Sequence, residues 1–180
     1  MDFNNKGNEF FSEGKNKEAI EQYSKGIETM LTTGSSSSSL SAEDKKQLCI
    51  LYSNKAQAHL KLDQFREAAD SAAESLKVDP AWQKSVFRRI TALFKLKAWK
   101  ELCDYIENDD TIMRPDNTDS FSHDVRDFLA KMVNDAPKED AATDKDQEGR
   151  RRAFALPATI KKQLIARKDA ADAKRKAEKE

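Results

Sequence analysis

The sequence predicts an all-α chain of stacked helical hairpins. Three observations predict it. Apolar residues recur at the three-and-four spacing of one helix face through most of residues 1–134. A composition of 38% hydrophobic and 36% charged residues supplies amphipathic helices rather than buried, all-apolar strands. Two neighbouring stretches also repeat one another at a fixed offset of 34 residues. The full length of 180 residues has room for one domain and a tail.

The elements follow in order. Asn4 to Ser12 carries Phe10 and Phe11, and Gly14 stops it. From Asn16 a second helix sets Ala19, Ile20, Tyr23, Ile27, Met30 and Leu31 on one face, completing a first hairpin. The Ser tract within residues 32–41 has nothing to bury and reads as a loop. Ala42 to Leu62 and Phe65 to Val78 form a second pair ended by Pro80, and Trp82 to Leu96 with Trp99 to Asn108 form a third. Asp110 to Thr118, with Pro115 and Asn117, breaks the pattern. Asp119 then caps a helix to residue 134 striped by Phe121, Val125, Phe128, Leu129, Met132 and Val133, which is expected to cover the open side of the last pair. Residues 135–149 lack large apolar groups and read as an acidic linker, and 150–180 read as a basic, partly disordered helical tail opened by Pro157.

The formal charge is zero, yet unevenly spread. Residues 1–134 hold 19 basic and 22 acidic side chains, 135–149 hold 2 and 6, and 150–180 hold 11 and 4. An acidic body therefore precedes a basic tail. Cys49 and Cys103 stand apart, without a second Cys or His at ligand spacing, so they read as small buried groups. His59 sits at a packing position, and His123 has no Ser or acid partner to nominate. No nucleophile motif, phosphate loop or metal spacing is visible, so no catalytic residue, cofactor or metal ligand is expected. The start MDFNNKGNEFF lacks a signal-peptide pattern, and no run approaches eighteen apolar residues. The expected compartment is the cytoplasm or nucleus, with no membrane partner.

The offset of 34 places Ala56 on Ile90, Phe65 on Trp99 and Ala68 on Leu102; an offset of 49 places Gly7 on Ala56 and Ala19 on Ala68. The difference is an insertion of about fifteen that includes the Ser tract. Small residues at Gly7, Ala19, Ala56 and Ala68 let paired helices cross closely, while Ile90 and Leu102 make the third unit degenerate. The strings KGNEFFSEGKNKEAIEQYSKGI and YSNKAQAHLKLDQFREAADSAAESLKVDP resemble the tetratricopeptide-repeat (TPR) family over residues 2 to about 109. The resemblance implies three hairpins, near 3–31, 42–79 and 80–109, in a right-handed superhelical stack whose first helices line a groove.

Within that frame Asn8, Asn54, Lys84 and Arg88 resemble four of the five positions of the carboxylate clamp of co-chaperone TPR domains. The resemblance implies a protein-protein adaptor that binds the C-terminal Glu-Glu-Val-Asp peptide of a heat-shock chaperone, of the seventy or ninety kilodalton class. Ionised oxygens require charge-assisted donors, which a Lys and an Arg one helical turn apart provide. The fifth position departs, since Asn4 stands where the family has Lys, and the clamp is expected to be weakened or directed to a variant C-terminus. Phe11, Gln57, Leu60 and Phe94 join Asn4 as further groove candidates. Two alternatives stay open: a scaffold whose groove holds an internal peptide, and a nucleic-acid accessory protein acting through the tail. Cations such as Arg150 to Arg152 would meet phosphate or a client protein, but no aromatics alternate with them as single-strand binders prefer.

Overall fold

The computed structural model describes residues 2–33, 40–108, 121–135 and 147–177. The Ser tract at 34–39, the breaker at 110–118, the Asp119 cap and the acidic stretch 136–146 lie outside the described residues, as does the side chain of His123. All eight elements among the described residues are helices, arranged in two compact units, Met1–Leu96 and Lys97–Glu180. No described helix is long and apolar enough to cross a membrane.

The first unit holds α1 (Phe3–Ser12), α2 (Asn16–Thr33), α3 (Ala42–Lys61), α4 (Phe65–Val78) and α5 (Gln83–Lys95). Asp2 caps α1 by accepting the Asn5 N–H at 3.1 Å, and Ser41 caps α3 by accepting that of Asp44 at 3.1 Å. Each helix packs on its chain neighbour, and α3 also meets α5. Central α3 is accordingly buried on several sides, at Leu48, Cys49, Leu51, Ser53, Ala56, Ala58 and His59. Ala19, Tyr23, Ile27, Leu48, Leu51 and Ala58 form a core cluster, with Phe10, Phe11 and Ile20 packed against it. His59 is a packing residue whose Nδ1 lies 2.8 Å from Gln64 Oε1.

The predicted small positions sit where helices touch. Ala19, Ala56 and Ala68 are fully buried, and so are Ile90 and Leu102 at the equivalent places. A Cβ on Gly7 would lie 2.6 Å from Cδ1 and 2.9 Å from Cζ of Tyr23. The turns inside the predicted hairpins repeat as well. Gly14, Asp63 and Lys97 have φ of 77°, 54° and 57°, and they are separated by the same 49 and 34 residues as the small positions. Packing has imposed the left-handed conformation on an Asp and a Lys that pay roughly 1–2 kcal/mol for it. Replacing Asp63 by Gly is therefore expected to raise stability by about 0.5–1 kcal/mol, the strain relieved less the entropy that glycine adds to the unfolded chain. Urea unfolding of Asp63→Gly checks it, and a lower midpoint would contradict it.

The second unit holds α6 (Trp99–Asn108), α7 (Phe121–Asp135) and α8 (Gln147–Ala177). Two expectations change here. The helix that chiefly packs on α6 in this unit is α8, and α7 also packs on α8, so the expected cover from α7 is supplied instead by the basic segment. Pro157 lies inside α8, which begins ten residues earlier. Its ring removes one backbone hydrogen bond, but the helix buries Ala153, Leu156 and Ile160 on one stripe. Phe154 meets the Trp99 ring edge-on at 5.9 Å and 83°, and Arg152 pairs with Glu107 at 2.8 Å. The start of the tail is thus a packed helix, with Arg150 buried and its guanidinium 4.4 Å from the Phe154 ring centre. Cys49 and Cys103 are both buried, as expected of small packing groups.

Candidate anion-binding site

The site lies wholly in the first unit, on a face shared by α1, α3 and α5. The repeat explains how it is built: Asn54 and Arg88 are related by the offset of 34, and Asn8 and Gln57 by the offset of 49. Two register positions therefore supply four polar side chains to the same side of successive helices.

Three carboxamides converge at one end. Asn54 Nδ2 donates to Asn4 Oδ1 at 3.1 Å and to Asn8 Oδ1 at 3.3 Å. Asn8 Oδ1 also accepts the Tyr23 hydroxyl at 2.8 Å. Burial pushes the Tyr23 phenol up, and the nearby charge of Arg88 offsets part of that, so Tyr23 stays protonated and donating at neutral pH. The structure brings Asn4, Asn8 and Asn54 together, and Asn4, which stands where the resemblance has a Lys, bonds to Asn54.

At the other end stands Arg88. Its Nε donates to Gln57 Oε1 at 3.0 Å, and its Nη1 donates to the buried Ser53 hydroxyl. Both partners are neutral, and Arg88 makes no ion pair with any described residue. Loss of water pushes its guanidinium down to about 10, with Tyr23 opposing slightly. It is still charged at neutral pH. A desolvated cation held in place by neutral acceptors, with no counter-charge, is poised for an anion. Lys84 is exposed one turn earlier on the same helix and is likewise without an ion pair among the described residues.

The remaining candidates divide. Phe11 and Leu60 are half-buried. Phe94 is only 8% exposed and offers a ligand little surface. Gln57 is engaged with Arg88, which makes it a holder of the cation. Sequence reasoning passed over Ser53 and Tyr23. Ser53 could have been found one turn before Gln57 on the same face of α3, whereas the Tyr23 hydroxyl gave no pattern beyond its apolar stripe.

No family model matches the chain. Protein unc-45 homolog B of Danio rerio is 34% identical over 90 residues, which is 50% of this chain and 9% of that protein. Tetratricopeptide repeat protein 12 of Homo sapiens is 34% identical over 92 residues, 51% of this chain and 11% of that protein. The likenesses support the tetratricopeptide-repeat family. The chain spans about a tenth of the length of these curated relatives. Among solved structures, the Hsp90 co-chaperone Cns1 from Saccharomyces cerevisiae superposes with a TM-score of 0.56 at 24% identity, covering 84% of this chain and 43% of that one. That similarity shows the TPR-like helical fold. The helices that bear Asn8, Asn54 and Arg88 are α1, α3 and α5, alternate helices of the first unit.

Proposed function

We propose that this chain is a cytosolic adaptor that grips the C-terminal carboxylate of a partner protein, a heat-shock chaperone ending in Glu-Glu-Val-Asp. Arg88 and Lys84 supply the charge, and Asn8 supplies a neutral donor. The observation that carries this reading is Arg88 itself, a cation drawn out of water and held by Ser53 and Gln57 without a carboxylate partner among the described residues. A ligand carboxylate supplies the missing counter-charge, and the preset guanidinium loses little freedom on binding it. The description of Cns1 as an Hsp90 co-chaperone supports the choice of partner. The basic segment has a smaller part, since Arg150 is buried and Arg151 and Arg152 are paired with Glu148 and Glu107, while exposed Lys162 is available to a second protein.

Calorimetric titration tests the reading with the peptide Met-Glu-Glu-Val-Asp as free acid and as C-terminal amide. The free acid is expected to bind at least about tenfold more tightly, and Lys84→Ala to weaken it by about three- to tenfold, as loss of one partly solvated charge contact does. Equal binding of acid and amide would refute the clamp. Because Arg88 keeps its charge far above neutrality, its contribution to affinity is expected to stay flat between about pH 6 and 8.

A further inference from the structure

The carboxamide end of the site is neutral and bonded to itself, and this limits what it can hold. Both Nδ2 hydrogens of Asn54 are committed, to Asn4 Oδ1 at 3.1 Å and Asn8 Oδ1 at 3.3 Å. Asn8 Oδ1 accepts from both Asn54 and the Tyr23 hydroxyl, which donates at 2.8 Å from a residue only 1% exposed, so turning the Asn8 amide over would set its NH₂ against the Asn54 NH₂. Tyr23 is itself fixed, because its ring lies against Gly7 where a Cβ would not fit. The three amides are thus prevented from presenting three NH₂ groups together. What remains for a ligand is donor capacity on Asn4 and Asn8 and acceptor capacity on the Asn54 oxygen.

Among the described residues assigned to the site, the charged ones are Lys84 and Arg88 of α5. A carboxylate stripped of water needs charge-assisted donors, and a neutral set that includes an acceptor compensates it poorly. A neutral carboxamide, with one acceptor and one donor group of its own, matches such a set. Resting on the clamp reading above, we propose that the site anchors a single carboxylate, the chain terminus, on Lys84 and Arg88, while Asn4, Asn8 and Asn54 receive a neutral hydrogen-bonding side chain from the last residue. The ligand class is then a C-terminus whose last side chain need not be acidic. A terminal Asp gains nothing from its second carboxylate here, and a terminal Asn is held at least as well. Asn4 determines this specificity, and Tyr23 is the positioning residue that keeps Asn8 in its orientation.

The test uses the whole chain and two free-acid peptides, Met-Glu-Glu-Val-Asp and Met-Glu-Glu-Val-Asn, titrated in parallel with the amidated Asp peptide. The two acids are expected to bind within about threefold of one another, or the Asn peptide more tightly. Asn4→Lys, at a half-buried position of α1, is expected to shift the ratio by about tenfold or more towards Asp. Tyr23→Phe, which keeps the ring and releases Asn8, is expected to shift it in the same direction by a smaller factor, and to change the side-chain amide resonances of Asn8 in the ligand-free protein. A wild-type preference for Asp above about tenfold would overturn the proposal while leaving the clamp standing. Failure of both acids to bind better than the amide would remove the clamp, and this inference with it.

Discussion

Arg88→Met is expected to bind a C-terminal peptide about a hundredfold more weakly, and yet to unfold at higher denaturant than the parent chain. The two effects have one cause. In the ligand-free protein the guanidinium has surrendered water for two neutral acceptors, Ser53 and Gln57, without an opposite charge among the described residues. Its depressed proton affinity reports that cost. Methionine has similar length, packs against half-buried surroundings and needs no counter-charge. Breaking two hydrogen bonds from a charged donor costs about 1.5 kcal/mol each where both acceptors find replacements. The Gln57 amide can return to solvent, and the Ser53 hydroxyl can turn to a carbonyl of its own helix. The net gain is expected to be small, about 0.5–1 kcal/mol, in the sense seen when buried ionic groups are replaced by apolar ones. Urea unfolding followed by circular dichroism measures the stability, and peptide titration measures the binding. If stability and affinity fall together, Arg88 is a structural residue and the site loses its central argument.

Gly7→Ala is expected to have the largest effect on the fold. The new methyl group would sit within 2.6–2.9 Å of Tyr23 ring atoms, closer than real side chains approach. Tyr23 is 1% exposed and enclosed by Ala19, Ile27, Leu48 and Leu51, so the ring has no room to retreat without opening the α1–α2 crossing. Overpacking of this kind costs about 1–3 kcal/mol. The intrinsic helix preference of alanine returns up to about 1 kcal/mol. A net loss of about 1–2 kcal/mol is expected, together with weaker peptide binding because Tyr23 holds Asn8. Gly26→Ala provides the comparison. Its Cβ would meet Phe3 at 3.0 Å and the Leu51 methyls at 3.2 Å rather than the Tyr23 ring, so it should lower stability without releasing Asn8, and affinity should change less than in Gly7→Ala. Thermal unfolding of both variants, with titration of each, separates the two.

The repeat was legible because it rests on spacing. Gly7, Ala19, Ala56 and Ala68 were marked by size alone, and all four are buried. Asn8, Asn54, Lys84 and Arg88 were legible through their register on three helices. Their partners were not, because a hydrogen bond between Asn54 and Asn4 joins residues 50 positions apart and depends on side-chain rotamers and helix crossing. Ser53 was overlooked for a related reason, since a small hydroxyl on a mostly buried helix reads as filler until a guanidinium reaches it. The start of α8 was misread by a local rule. Proline is common at a first helical position, so Pro157 seemed to open the helix, and Ala153 counted for nothing as an apolar residue. With Leu156 and Ile160 it completes a three-and-four stripe, and the burial of that stripe outweighs one missing backbone hydrogen bond.

That stripe also sets a timetable. Helices α1 to α5 find their partners among near neighbours in the chain, so the first unit can close as it leaves the ribosome. α6 is different, because Trp99 must wait for Phe154, on a helix that begins almost forty residues after α6 ends. At a synthesis rate of roughly 5–20 residues per second, the apolar side of α6 is expected to stay without α8 for about 2–10 s. A nascent chain halted just before Gln147 should accordingly hold a protease-resistant first unit beside a cleavable second one.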